Sequence, residues 1–107
     1  MSNYLFIESR DPFESRDTQF VEETVLAVKN RGHDVTVFLV QNGVLATRRD
    51  ARQLNRLADA GIRLLADDLS LRERGIKSDE LAPGVQESNI AELVDRVMKD
   101  KTKAIWH

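Results

Sequence analysis

An unbroken apolar run at residues 35–40 is the feature that most constrains the fold of this chain. The run reads Val-Thr-Val-Phe-Leu-Val, so every position is apolar or β-branched. Such a strand is typical of the centre of a parallel sheet, where helices cover both faces. Three further short runs, at residues 4–7, 62–66 and 103–106, are also predicted to be strands. Helical patterns lie between these runs, so strand and helix alternate along the chain.

Two longer helices are predicted in the first half of the chain. Val21, Val25 and Val28 share one helical face, and Asp17 is the expected N-cap of that helix. A second helix is predicted over residues 48–60, because its apolar residues recur on one side.

Two further helices are indicated by local signals in the second half. Ser70 and Glu73 have capping-box spacing, which predicts a short helix beginning at Leu71. Asn89 and Glu92 are expected to cap the final helix reciprocally. Its apolar residues follow the spacing i, i+3, i+4, i+7, i+8 and are Ile90, Leu93, Val94, Val97 and Met98. This pattern predicts the clearest amphipathic helix of the chain.

Alternating strands and helices with short connections predict an α/β fold. With 107 residues, we expect one domain over residues 1–107, built as a flavodoxin-like three-layer sandwich with a mostly parallel sheet of about five strands. No apolar run approaches the roughly 18 residues of a membrane span, and the first residues do not resemble a signal peptide. We therefore expect a cytoplasmic protein with no membrane partner.

Polar segments are predicted to converge at the edge of the sheet where the carboxyl ends of the strands meet. The four segments are residues 8–16, 41–43, 67–72 and 84–88. In open parallel sheets, ligands bind at this edge. The residues predicted to form a pocket there are Glu8, Ser9, Arg10, Arg16, Gln41, Asn42, Gly43, Asp67, Asp68, Ser70 and Arg72.

The first of these segments argues against a nucleotide site. It contains no glycine and carries three acidic residues, Glu8, Asp11 and Glu14, with Asp17 directly after it. Phosphate-binding loops, in contrast, need glycine for close backbone approach and disfavour negative charge. No diagnostic spacing of metal ligands is present, so neither a metal nor a cofactor is expected.

An arginine stripe is the feature that most favours nucleic acid. Arg48, Arg52 and Arg56 would share one face of the predicted second helix, with Arg49 close by. No aromatic residue is interleaved with them, and the net charge is −2. A solvated helix face is therefore the favoured interpretation, and no nucleic-acid partner is expected.

The order of several segments resembles the DsrE/DsrF-like family, which includes the sulfur-relay subunits of the DsrEFH and TusBCD complexes. The resemblance covers nearly the whole chain. It rests on the opening strand, on the strand and Asn-Gly-Val turn at residues 37–44, on Arg-Gly-Ile at residues 74–76, and on the final helix and strand. It implies a small cytoplasmic subunit that forms homo-oligomers, or hetero-oligomers with DsrE/DsrF-like or sulfur-carrier proteins. Trp106, the only tryptophan, is either a residue of the sheet or an anchor of such an interface.

The resemblance also implies a cysteine just after the third strand, which carries sulfur as a persulfide. The corresponding position holds Asp67, and the sequence contains no cysteine. A carboxylate oxygen cannot form or hold a persulfide as a thiolate can. The resemblance therefore implies a non-catalytic subunit, linked to intracellular sulfur transfer or oxidation, that acts by assembly.

A second hypothesis keeps the predicted pocket and gives it another chemistry. Asp67 would act there as a general base or as a selector, and Arg10, Arg16 or Arg72 would orient a small anionic ligand. The hypothesis rests on the charged side chains expected at the ends of the strands.

Overall fold

The computed structural model describes residues 2–48, 54–99 and 101–107. In this part of the chain, strands and helices alternate. The strands are β1 (Asn3–Glu8), β2 (Asp34–Leu39), β3 (Arg63–Asp67), β4 (Val85–Ser88) and β5 (Thr102–Trp106). The α-helices are α1 (Asp17–Asn30), α2 (Asn55–Asp59), α3 (Asp68–Glu73) and α4 (Ile90–Met98), and 3₁₀ segments lie at Gln41–Thr47 and Ser78–Glu80.

All five strands pair in one parallel sheet with the order β4-β3-β2-β1-β5. The apolar run at residues 35–40 supplies the central strand β2 apart from Asp34 and continues one residue past its end, and all six residues of the run are buried. The predicted α/β fold is therefore confirmed, and the sheet is fully rather than mostly parallel.

Two apolar clusters cover the two faces of the sheet. The larger one includes Phe6, Val25, Val37, Leu57, Leu64 and Leu71, and joins the sheet to α1, α2 and α3. The smaller one contains Leu5, Ile7, Phe38, Val40, Leu65 and Leu93. Leu93 alone among these comes from a helix, so α4 supplies the helical layer on the second face.

The sequence prediction did not assign a strand to β4. Val85–Ser88 lies at the edge of the sheet, where Gln86 and Glu87 are exposed to solvent. An edge strand needs no continuous apolar run, because solvent covers one side of it. The polar segment expected at the strand ends is thus itself partly a strand.

The prediction for the second helix was too long. Within the described residues, the helix covers only Asn55–Asp59. Arg48 is extended and forms an antiparallel bridge with Leu81. The proposed stripe is therefore not one helical face, and Arg49 and Arg52 lie outside the described residues. Arg56 forms an ion pair with Glu22 of α1, at 3.3 Å.

Two of the three predicted helix caps were wrong. Asp17 is the first residue of α1, and the N-cap position is occupied by Arg16. The predicted box of Ser70 and Glu73 is replaced by a cap one turn earlier, where the side chain of Asp67 accepts a hydrogen bond from the backbone of Ser70. The Asn89 half of the third cap is confirmed, because its side chain accepts a hydrogen bond from the backbone N–H of Glu92. The expected return bond is replaced, since the side chain of Glu92 binds Ser88 and Arg96.

Candidate functional site

The carboxyl ends of the five parallel strands form one edge of the sheet. Ser88, Asp67 and Glu8 are the last residues of β4, β3 and β1. The sheet order places the turn that follows β2 between Asp67 and Glu8. The four predicted polar segments thus reach this edge at the ends of β1, β2, β3 and β4.

Asp67 is buried at this edge and acts as the N-cap of α3. Its Oδ2 accepts two hydrogen bonds from Ser70, one from the backbone N–H at 3.0 Å and one from Oγ at 2.7 Å. The same Oγ accepts a hydrogen bond from the backbone N–H of Gln41 at 2.9 Å. Asp67 and Ser70 therefore tie the end of β3 and the start of α3 to the turn after β2.

The turn after β2 is held by close backbone packing. A Cβ atom on Gly43 would lie 2.2 Å from the carbonyl oxygen of Glu8, so this position has no room for a side chain. Gln41 adopts a φ of +50°, in the left-handed region. Asn42 Oδ1 accepts hydrogen bonds from Nε and Nη2 of Arg74, at 3.1 and 3.0 Å. Arg74 also donates to the carbonyl of Ser70, and thereby joins the turn to α3.

Glu8 is buried at the end of β1 and contacts His107. Both of its carboxylate oxygens lie 2.9 Å from Nδ1 of His107, and Oε1 also accepts a hydrogen bond from the backbone N–H of Arg10. The backbone of His107 is paired with Ile7 and Ser9, and the Ser9 hydroxyl donates to its carbonyl oxygen. No sequence signal indicated this contact, because it depends on β5 lying beside β1.

The predicted arginines do not join Asp67. Arg10 lies 3.9 Å from Asp17, and both side chains are largely exposed. Arg16 occupies the N-cap position of α1 and Arg72 lies on α3, and both side chains are exposed. Asp68 is half-buried in the first turn of α3, where a carboxylate interacts favourably with the helix dipole.

A cavity of about 310 Å³ opens beside Glu8, between α1, the sheet, the 3₁₀ segment Gln41–Thr47 and α2. Its apolar wall is formed by Val21, Val25, Val37, Leu39, Ala46, Leu54 and Leu57. Polar residues also line it, namely Glu8, Arg10, Thr18, Gln19, Glu22 and Arg56. Only three residues of the predicted pocket line this cavity: Glu8, Arg10 and Gly43. The sequence did not reveal it, since its walls come from four separate elements.

Two glutamates on the helices have shifted pKa values. Burial raises the pKa of Glu22 above its ordinary value, and nearby Arg56 only partly offsets this effect. At the start of α4, hydrogen bonds from Ser88 and Arg96 lower the pKa of Glu92. Arg96 binds Oε2 of Glu92 through both Nε and Nη2, and the Ser88 hydroxyl donates to Oε1.

The described residues offer no group of three or more His, Cys, Asp or Glu side chains that could hold a metal ion. In the same part of the chain, no helix combines the length and the apolar character that crossing a membrane requires.

Comparison with known proteins gives both a family match and structural matches. Residues 2–102 match the model of the DsrE/DsrF-like family. No curated protein sequence is significantly similar to the chain. The YchN protein of E. coli superimposes with a TM-score of 0.89, with 16% identity and 100% of both chains covered. MTH1491 of Methanobacterium thermoautotrophicum, a protein of unknown function, gives a TM-score of 0.75, with 23% identity and 100% of both chains covered. At these identities, the likeness to the two solved structures concerns the fold alone.

Proposed function

This chain belongs to the DsrE/DsrF-like family, and we propose that it acts there as a non-catalytic subunit. In this proposal it serves intracellular sulfur transfer or oxidation in the cytoplasm by assembling with other subunits. It does not carry a persulfide itself. The observation that carries the proposal is an apolar surface on α4 and β5, which the single chain leaves open to solvent.

This surface, which we call the α4–β5 face, consists of side chains that an isolated subunit would be expected to bury. Its members and their exposed fractions are Ile90 61%, Val94 54%, Val97 40%, Met98 76% and Trp106 63%. Leu93 is the one residue of the apolar stripe of α4 that packs into the core, at 5% exposure. The amphipathic pattern of α4 is therefore much wider than the contact that α4 makes with its own sheet.

Trp106 extends this apolar surface onto the sheet. It pairs in register with Ile7 of β1, and paired residues of neighbouring strands project from the same face. Ile7 belongs to the apolar cluster beneath α4, so Trp106 lies on that face of the sheet. Exposed apolar side chains gathered on one face mark sites of protein association, and tryptophan is among the residues that contribute most to such interfaces.

We assign the α4–β5 face to another subunit of the same family, either a second copy of this chain or a relative. Members of this family commonly form oligomeric complexes. On the polar side of α4, Glu92 already binds Ser88 and Arg96 within the chain. The exposed apolar stripe therefore favours a largely apolar interface.

The role of Asp67 supports the non-catalytic part of the proposal. Its carboxylate stands where the family resemblance implies a cysteine, and it is engaged in capping α3. A buried capping carboxylate contributes to stability and has no sulfur chemistry.

The experiment is a measurement of molar mass by sedimentation equilibrium on three versions of the chain. The wild type is expected to form an oligomer, and Val94→Asp is expected to shift it strongly towards monomer by placing a charge in the interface. Phe20→Asp is the matched control, because Phe20 is 71% exposed on α1 and lies outside the α4–β5 face. An oligomer that persists in Val94→Asp but dissociates in Phe20→Asp would show that the interface lies outside the α4–β5 face. A wild type that is monomeric and also fails to bind a family relative would refute assembly.

The second candidate function is binding or conversion of a small anionic ligand by Asp67 with Arg10, Arg16 or Arg72. The observation that favours it is the burial of Asp67 among polar groups at the edge of the strands. Its test is a thermal-shift screen of small anions, in which any stabilisation must disappear in Asp67→Asn. We favour the assembly proposal, because none of the three arginines contacts Asp67 among the described residues.

A further inference from the structure

The cavity beside Glu8 is a separate feature that neither assembly nor the capping of α3 uses. Its volume of about 310 Å³ falls at the lower end of the range for small-molecule sites, which are concave, mostly apolar and equipped with a few polar groups. From its walls and charges, we propose that it binds a small organic cation with an apolar body and one ammonium group.

The apolar body of such a ligand would occupy the inner wall of the cavity. Val25 of α1, Val37 and Leu39 of β2, and Leu57 of α2 line this wall and are almost fully buried. Since their side chains offer no hydrogen bonds, water in this space gains little, and its displacement by a hydrocarbon group is favourable.

The sign of the ligand's charge follows from which charged groups lie away from solvent. The side chains of Glu8 and Glu22 are 9% and 19% exposed, whereas those of Arg10 and Arg56 are 56% and 65% exposed. Water screens exposed charges far more than buried ones. Of the charged groups that line the cavity in the described part of the chain, the two carboxylates therefore dominate, so the electrostatic potential that these groups set up is negative and disfavours an anion.

Glu22 is the carboxylate that the ammonium group would bind. Glu8 already accepts hydrogen bonds from His107 and from the backbone of Arg10. Among the residues that the structure describes, Glu22 has one ion pair, with the largely exposed Arg56 at 3.3 Å. The raised pKa of Glu22 agrees with this assignment, because it shows that burial leaves its charged form poorly stabilised. An ammonium group provides the compensating charge within the cavity.

The test compares three probes of equal chain length against the full chain: hexylammonium, hexanol and hexanoate. Isothermal titration calorimetry should show one site, with hexylammonium bound about tenfold more tightly than hexanol and hexanoate bound more weakly than either. In methyl NMR spectra, the probes should shift the signals of Val25 and Leu57. The signals of Leu5 and Leu93, on the opposite face of the sheet, should stay unchanged.

Two variants with matched chemistry show whether Glu22 is responsible. Glu22→Gln is expected to remove the preference for hexylammonium and to leave hexanol binding within about twofold of the wild type. Glu23→Gln is the control, since it removes the same charge from an exposed position one residue further along α1, and it should retain the full preference.

Three binding results would overturn the proposal. One is binding of hexanoate as tight as that of hexylammonium, another is a preference that persists in Glu22→Gln, and the third is absence of binding by all three probes to the folded wild type. Methyl shifts that appear equally at Leu93 would show non-specific association, and would count against the site in the same way.

Discussion

Replacing Asp67 tests whether this carboxylate has the structural role that its geometry indicates. In Asp67→Ala, α3 loses its N-cap, which costs about 0.5–2 kcal/mol. The hydroxyl of Ser70, only 5% exposed, also loses its acceptor, and an unsatisfied buried group costs about 1–3 kcal/mol. Because both losses fall on the same contact, we expect a combined effect of about 2–3 kcal/mol. In a domain of this size, that lowers the Tm by about 10 °C or more.

The assay for this prediction is urea unfolding followed by circular dichroism, with two comparison variants. Asp67→Asn should retain most of the stability, because an asparagine oxygen caps a helix about as well as aspartate does. Asp68→Ala removes the neighbouring carboxylate, whose interaction with the helix dipole contributes only about 0.3–1 kcal/mol. If Asp67→Ala unfolds at the same urea concentration as Asp68→Ala, or as the wild type, the capping argument is wrong. Asp67 would then be available for another role.

Two further substitutions examine the edge of the sheet and the start of α4. Gly43→Ala should destabilise the fold by more than about 2 kcal/mol in thermal unfolding, because its Cβ would lie 2.2 Å from the carbonyl oxygen of Glu8. Gly32→Ala is the control and should cost only about 1–2 kcal/mol, since φ is +88° there and an added Cβ would meet no packed atom within 4 Å. Equal effects of the two substitutions would contradict the steric explanation. Glu92→Gln should lower stability at neutral pH by less than about 1 kcal/mol, since Glu92 is partly exposed. The pKa of Glu92 is lower in the folded chain than in the unfolded chain. Its contribution to the free energy of unfolding is therefore present above the unfolded pKa and is lost as the pH falls through the folded pKa. A stability difference between Glu92→Gln and the wild type that persists in stronger acid would refute this linkage.

The central strands could be predicted from the sequence because burial on both faces requires continuous apolar runs. β1, β2 and β3 were found within a residue or so of their bounds for this reason. β4 lies at the edge, where Gln86 and Glu87 face solvent, so its composition carries no such signal. β5 also lies at an edge and is largely exposed, yet its start was predicted within one residue, so local patterning followed the degree of burial only in part.

The candidate site was less predictable, because its contacts join residues far apart in the chain. The capping box of Ser70 and Glu73 fits local spacing, yet Asp67 caps α3 and leaves the Ser70 hydroxyl to bind Gln41. Likewise, Glu8 contacts His107 only because β5 lies beside β1. Such choices are set by tertiary packing, which a one-dimensional pattern does not contain.

The α4 stripe shows a different limit of sequence reasoning. Its periodicity correctly predicted an amphipathic helix, but it did not tell which apolar residues pack inside the subunit and which face outward. In the structure, Leu93 packs inside, while Val94 and Met98 remain exposed. The same pattern serves both the core and, in our proposal, an interface with another subunit.

Native mass spectrometry after exposure to inorganic polysulfide tests the central proposal most directly, because it reports assembly and sulfur loading together. The chain is measured alone and mixed with a cysteine-bearing member of its family. We predict an oligomer, either of this chain or with the relative, in which any added sulfur is found on the relative and none on this chain. A chain that stays monomeric in both samples, or that gains the mass of a covalently bound sulfur atom, would contradict the proposal.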